Sequence, residues 1–180
     1  NAGTVSICLS RAGGGFAPAA TVTVGNTPGC LAAGDFDGDG DRDLAVGNLN
    51  DGTVSILTNN AGSFSLGSTL ACGSPLCSLA AGRIDGDNRA DLVVALSRTP
   101  FVAGRLLLYG GAAGTPTTLG GGTQPADLAL ADMDNDGDLD LVLAEIGATA
   151  GIYLYDNQAG TLASPRGPIA YGVTNPLEVS

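Results

Sequence analysis

The chain has 180 residues, 44% of them hydrophobic, which is enough for one domain with a sizeable core. Its formal net charge is −11, with seven Arg, no Lys and no His, so no basic patch exists to bind the phosphates of a nucleic acid. No apolar run approaches the roughly 20 residues that a membrane-spanning helix requires. With 29 glycines and no sustained helical period, the sequence predicts an all-β protein rich in tight turns.

Residues 1–29 are predicted to form two strands of an incomplete structural unit. The segment 1–7 closely matches 50–56, and Val5, Ile7 and Leu9 fall on one face of a predicted strand. A Gly-rich turn then leads to Phe16, and a further strand is predicted over 21–24.

Three complete units follow, over 30–74, 75–122 and 123–174, and each contains one acidic loop. The loops 35–43, 83–91 and 132–140 hold five, three and five of the 18 acidic residues, and their starts are 48 and 49 residues apart. The predicted strands are 28–34, 44–47, 53–58 and 64–70, then 75–82, 92–96, 105–109 and 115–119, then 125–131, 141–144, 152–155 and 169–171. Four short strands in each repeat of about 48 residues are typical of a β-propeller blade.

Residues 175–180 are predicted to begin a further blade. Together with 1–29 they supply three of the four strands that a fourth blade needs. We therefore expect a segment of a larger propeller or assembly. Two alternatives are that a second copy of the chain supplies the missing strands, or that the fourth blade closes incompletely. The terminal strands could also pair with those of neighbouring copies, which would produce self-assembly.

The first and third loops have the spacing of a calcium-binding loop. Carboxylates occupy positions one, three, five and nine, a glycine at position six (Gly40 or Gly137) permits a sharp bend, and position seven is suited to offer its backbone carbonyl. Oxygen ligands alone favour Ca²⁺ over zinc, which prefers His or Cys. An EF-hand is excluded because position twelve is Val46 or Leu143 on a strand.

The second loop departs from this spacing. Arg83 takes position one, Asn88 replaces the glycine, and Arg89 takes position seven. We expect Arg83 to lie against the remaining carboxylates as an internal counter-ion, which would leave the site weak or empty. The residues of this weak or empty site are Asp85, Asp87, Arg89 and Asp91.

The pattern Asp-x-Asp-x-Asp-Gly-x-x-Asp-Leu, preceded by Ala-Gly-Asp-Phe at 33–36, resembles the FG-GAP/VCBS repeat. That family builds the calcium-bearing β-propeller of integrin α-subunits and of many bacterial secreted proteins. The resemblance covers nearly the whole chain and implies four-stranded antiparallel blades, with Ca²⁺ bound between the first two strands of a blade. The ligands that it implies are Asp35, Asp37, Asp39, Asp41 and Asp43, and Asp132, Asp134, Asp136, Asp138 and Asp140.

The four cysteines favour an oxidising, extracellular compartment, since their number is even and they accompany calcium-type loops. A local bridge between Cys72 and Cys77 would leave Cys8 with Cys30. Four cysteines allow three pairings, however, and the sequence does not select one. Buried free thiols are the alternative.

These features predict an extracellular or secreted interaction, adhesion or scaffold module whose protein or glycan partner is unknown. A carbohydrate-binding lectin is the first alternative, although its aromatic residues fall mostly at strand positions, where packing is the simpler role: Phe16, Phe36, Phe64, Phe101, Tyr109, Tyr153, Tyr155 and Tyr171. The non-catalytic propeller of a secreted hydrolase or lyase is the second. We expect no enzymatic activity, because the chain has no His for base catalysis and no Gly-x-Ser-x-Gly motif.

Overall fold

The architecture comes from a computed structural model that describes residues 3–73, 76–96 and 103–169. These residues form one two-stranded and three four-stranded sheets, all antiparallel. The two-stranded sheet comprises β1 (Gly3–Ile7) and β2 (Ala20–Val24). The four-stranded sheets comprise β3 (Pro28–Gly34), β4 (Asp43–Asn48), β5 (Thr53–Asn60) and β6 (Ser63–Ala71); β7 (Leu76–Gly82), β8 (Asp91–Leu96), β9 (Arg105–Tyr109) and β10 (Thr117–Leu119); and β11 (Pro125–Ala131), β12 (Asp140–Glu145), β13 (Gly151–Tyr155) and β14 (Arg166–Ile169). Short 3-10 turns lie at Gly110–Ala112 and Gly147–Thr149.

The predicted fold class, an all-β protein of four-stranded antiparallel blades, is confirmed. In each four-stranded sheet the spatial order of the strands follows the chain order, so every connection joins neighbouring strands. The first hairpin of each sheet encloses an acidic loop, and its closing pair is Gly34 with Asp43, Gly82 with Asp91, or Ala131 with Asp140. The three loops therefore occupy the same place in three repeats. Within the described ranges, no helix is long and apolar enough to cross a membrane.

Some strand ends differ from the prediction. β1 ends at Ile7, and Leu9 lies beyond it with 43% of its surface exposed. Phe16 forms only an isolated bridge to Ser10, because three successive glycines (13–15) carry the chain through the turn. The strand predicted over 115–119 is reduced to β10. The strand predicted over 175–180 lies outside the described residues.

The core lies between neighbouring sheets, and β8 shows how it is built. Because side chains alternate between the two faces of a strand, Leu92, Val94 and Leu96 enter the cluster shared with the first four-stranded sheet. Val93 and Ala95 enter the cluster shared with the third. All five are fully buried, which explains why this strand is continuously apolar rather than alternating.

Glycines at the ends of the innermost strands let adjacent sheets approach closely. A Cβ on Gly34 would lie 2.6 Å from the Ala90 Cβ, and one on Gly82 would lie 2.7 Å from the Leu139 Cδ1. Beside the first of these contacts, the Ala90 N–H donates to the Asp35 carbonyl over 2.7 Å. Position eight of one loop thus packs on the glycine that precedes the loop of the neighbouring sheet.

Substitution of Gly34 by Ala is expected to weaken the packing between the first two four-stranded sheets. The added methyl group would overlap with Ala90, so the free energy of unfolding should fall by about 1–3 kcal/mol. Urea denaturation measures this change. Gly13→Ala is the matched control, because no atom lies within 4 Å of its added Cβ. Equal losses in the two variants would contradict the proposed close approach.

Candidate metal centre

Acidic side chains converge in two of the three loops. In the first loop, one carboxylate oxygen each from Asp35, Asp37 and Asp39 lies within 4.8 Å of the others. The third loop brings together Asp132, Asp134 and Asp136 in the same way. These are loop positions one, three and five, as the spacing predicts.

Hydrogen bonds within the loop hold these carboxylates in place. Asp35 accepts from the N–H groups of Gly38 (2.7 Å) and Gly40 (3.1 Å), while Asp37 and Asp39 each accept from the N–H two residues further on. Such Asx-type turns curl the backbone around its own side chains. Gly40 has a φ of 96°, a left-handed conformation that favours glycine, which explains the glycine at position six. Equivalent hydrogen bonds recur in the third loop.

The ninth position plays a different part. Asp43 is fully buried, and its two oxygens accept from the Phe36 N–H (2.9 Å) and the Asn59 N–H (2.8 Å). Asp140 makes the equivalent pair of hydrogen bonds. Burial raises the pKa of Asp43, although both hydrogen bonds act to lower it. This side chain joins the start of the loop to the third strand of its sheet.

The seventh position also contacts the protein. The Asp41 carboxylate accepts from the Ala61 N–H in the turn that follows β5, and Asp138 accepts from the Ala159 N–H. In each loop the structure thus brings three of the five candidate carboxylates into one cluster. The other two are directed towards the backbone near the end of the third strand.

The second loop keeps the fold but not the cluster. Asp85 accepts from the Asp87 N–H, and Asp91 accepts from the N–H groups of Ile84 and Gly111. In the described part of the chain, its carboxylates do not form a convergent group of three. The prediction of a weak or empty site here remains a prediction.

The expected contact of Arg83 with these carboxylates is absent. Among the described residues, the ion pair that forms joins Arg166 to Asp156, and Arg83 makes none. The first loop position continues the innermost strand, so Arg83 instead lines a cavity between the first two four-stranded sheets. The side chain of Arg89 lies beside Gly38 and Gly111, within 3.3–3.5 Å of the positions where their Cβ atoms would be.

Two asparagines with a role in these loops are missed by the spacing argument. The backbone N–H groups of Asn59 and Asn157 donate to the aspartates at position nine. In addition, the Asn59 side chain donates to the Arg42 carbonyl. The Asn157 side chain donates to the carbonyls of Leu139 and Ile84, and so links the third four-stranded sheet to the second. Their equivalent positions in the two repeats could have revealed them. Leu57 and Tyr155 each pair with the residue that follows position nine, and each asparagine lies two residues further along the chain.

No disulfide links Cys8, Cys30, Cys72 or Cys77 in the part of the chain that the structure describes, so neither of the bridges considered from the sequence is formed. The Cys72 thiol is buried and accepts a hydrogen bond from the Tyr109 hydroxyl, whereas the Cys77 thiol lies 3.4 Å from the carbonyls of Ala95 and Pro125. Burial raises the pKa of the Cys30 and Cys72 thiols, which favours their protonated form.

The repeat that the three acidic loops define also matches a known protein family. A family model described as FG-GAP-like repeat matches the chain twice, over residues 35–94 and 84–143. Together the matches span more than half of the chain and include the three acidic loops. A search of curated proteins finds no match.

Replacement of Asp43 by Asn should destabilise the protein even without metal. The amide has one acceptor oxygen, so one of the two buried N–H groups loses its partner, at a cost of about 1–3 kcal/mol. Urea denaturation in excess chelator measures the loss. Asp39→Asn is the control, because Asp39 is exposed and its amide oxygen can keep the single hydrogen bond. A larger loss for Asp39→Asn would contradict the assigned roles.

The metal-free protein should lose stability as the pH rises. The pKa of Asp43 is raised, first by burial, and that of the solvent-facing Asp134 is raised by desolvation within its loop and then by Asp136. A carboxyl with a higher pKa in the folded state stabilises the fold at low pH, and this contribution is lost as the pH rises through that pKa. We expect the free energy of unfolding to fall from about pH 4 upwards, and calcium to oppose the fall. A metal-free stability that rises throughout this range would contradict the prediction.

Proposed function

Because the chain belongs to the FG-GAP-like repeat family, we propose that it is a calcium-stabilised β-propeller module for extracellular interaction, adhesion or scaffolding. One observation carries this proposal. The same three loop positions converge in two repeats and present clustered carboxylates on the surface. Clustered carboxylates repel one another unless a cation neutralises them.

The donor set fits Ca²⁺. It consists of oxygen atoms alone, it lacks the nitrogen and sulfur that zinc prefers, and five of its six carboxylates face solvent, where water can complete the coordination. The residues that would hold the ion are Asp35, Asp37 and Asp39, and Asp132, Asp134 and Asp136. A bound ion would remove the repulsion within each loop and so stabilise the hairpin between the first two strands.

The composition of the loops supports an extracellular or secreted location. They lack the bidentate Glu at position twelve that strengthens EF-hand sites. Weak sites of this kind are saturated where calcium is in the millimolar range, as it is outside cells. The partner that such a module would bind is a protein or glycan of unknown identity. We propose no catalytic role for these residues, since the clustered carboxylates are the ones assigned to Ca²⁺ and the chain has no His for base catalysis.

A lectin is less well supported. Sugar sites commonly use exposed aromatic rings, but Phe36, Tyr109 and Tyr155 are buried in the core. Among the described aromatic residues, Phe16 is the one that is largely exposed, at 69%. The third possibility, the propeller of a secreted hydrolase or lyase, places the same module in a different protein.

Calcium titration by calorimetry is expected to show two bound ions per chain. Asp37→Asn and Asp134→Asn should each reduce this number to one, because each removes a central carboxylate from one cluster. Asp85→Asn in the second loop is the matched control and should leave two. At a free calcium concentration 100 times the dissociation constant, each site should add about 2.7 kcal/mol to the free energy of unfolding. No measurable calcium binding, or two ions in the Asp37→Asn Asp134→Asn double variant, would refute the proposal.

A further inference from the structure

A cavity of about 480 Å³ lies between the first two four-stranded sheets, at the ends of their innermost strands. Its walls are the small residues Ala33, Gly34, Ala81 and Gly82, and two of the chain's seven arginines line it. Its volume is in the range of sites that bind small organic molecules, which is about 300–1,000 Å³.

Both arginines depart from the pattern of the chain's own repeats. Arg42 occupies loop position eight, where the other repeats have Ala90 and Leu139, the residues that pack on a neighbouring glycine. Arg83 occupies position one, where the other repeats have a cluster-forming aspartate. Two independent departures therefore place positive charge in one cavity.

Neither arginine has an acidic partner in the described part of the chain, although the net charge is −11. Arg166, by contrast, pairs with Asp156. The acidic residue at the cavity, Asp35, already accepts hydrogen bonds from two N–H groups of its own loop. The guanidinium groups of Arg42 and Arg83 are thus left to a ligand.

We propose that this cavity binds a small organic molecule that carries a carboxylate or sulfate group, held between Arg42 and Arg83. The planar guanidinium group matches both oxyanions with paired hydrogen bonds. The cavity walls are small and apolar and would contact the body of the ligand. The site goes beyond the calcium-stabilised module proposed above and uses different side chains to bind its ligand.

The test is a titration in calcium-containing buffer with D-glucuronate, sulfate and neutral D-glucose, followed by NMR of the arginine Nε–H signals. We expect saturable shifts of the Arg42 and Arg83 signals with glucuronate or sulfate, and none with glucose. The comparison between the two anions identifies the preferred oxyanion. Absence of saturation with both anions, or equal shifts with glucose, would overturn the proposal.

Variants locate the site. Arg42→Gln and Arg83→Gln should each weaken anion binding about tenfold, the loss of one charge-assisted interaction. Arg11→Gln removes the same charge from the exposed turn between β1 and β2 and should change the affinity less than twofold. An equal loss in all three would show a long-range charge effect and refute the cavity.

Calcium stoichiometry measured on the same samples separates the two proposals. If the unsubstituted protein binds two calcium ions but neither anion, only the cavity proposal is refuted. Anion binding without calcium binding would refute only the calcium proposal. Thermal unfolding of each variant confirms that it is folded, and folding should persist because both side chains are exposed.

Discussion

The buried aspartate at loop position nine is the constraint on which each repeat depends. Asp43, Asp91 and Asp140 are at most 1% exposed. Each accepts one N–H from loop position two. Each accepts a second N–H from the residue that lies two positions after Leu57, Tyr109 or Tyr155, the third-strand residues that pair with the residue following position nine. A buried carboxylate is costly without such donors, so the loop and three strands must assemble together. This arrangement is the same in all three repeats.

The second repeat shows which positions the fold can spare. It keeps Asp91 but has lost the aspartate at position one and the glycine at position six, and its loop still closes on the third strand. Gly111 stands where the other repeats have Asn59 or Asn157, and the stem of Arg89 lies against it. Position one can therefore change from aspartate to arginine without loss of the hairpin, while positions three and five keep Asp85 and Asp87. The buried aspartate at position nine is thus kept even where the cluster of carboxylates is not.

The 48-residue period predicted the strands well, because each acidic loop fixes the register of the hairpin around it. The sequence could not show which aspartates would cluster on the surface and which would be buried as hydrogen-bond acceptors. Both positions carry the same side chain, so spacing alone does not distinguish them. The position of the Arg83 side chain depends on how two sheets pack together. The spacing of residues along one strand gives no information about that packing. The same is true of Cys72 and Cys77: only four residues lie between them, but their thiols contact different groups.

The two acidic clusters differ in their surroundings. Position 58 in the first repeat is a threonine, whereas the equivalent residue in the third is the buried Asp156. The pKa of Asp134 is raised mainly by desolvation and then by Asp136, and Asp156 adds a smaller contribution in the same direction. Arg166 pairs with Asp156 and so offsets part of this added negative charge. Near the first cluster, the positive side chains of Arg42 and Arg83 line the adjacent cavity and remain unpaired in the described structure. In the third repeat Arg166 is therefore used in an internal ion pair. In the first and second repeats, Arg42 and Arg83 remain accessible to a ligand.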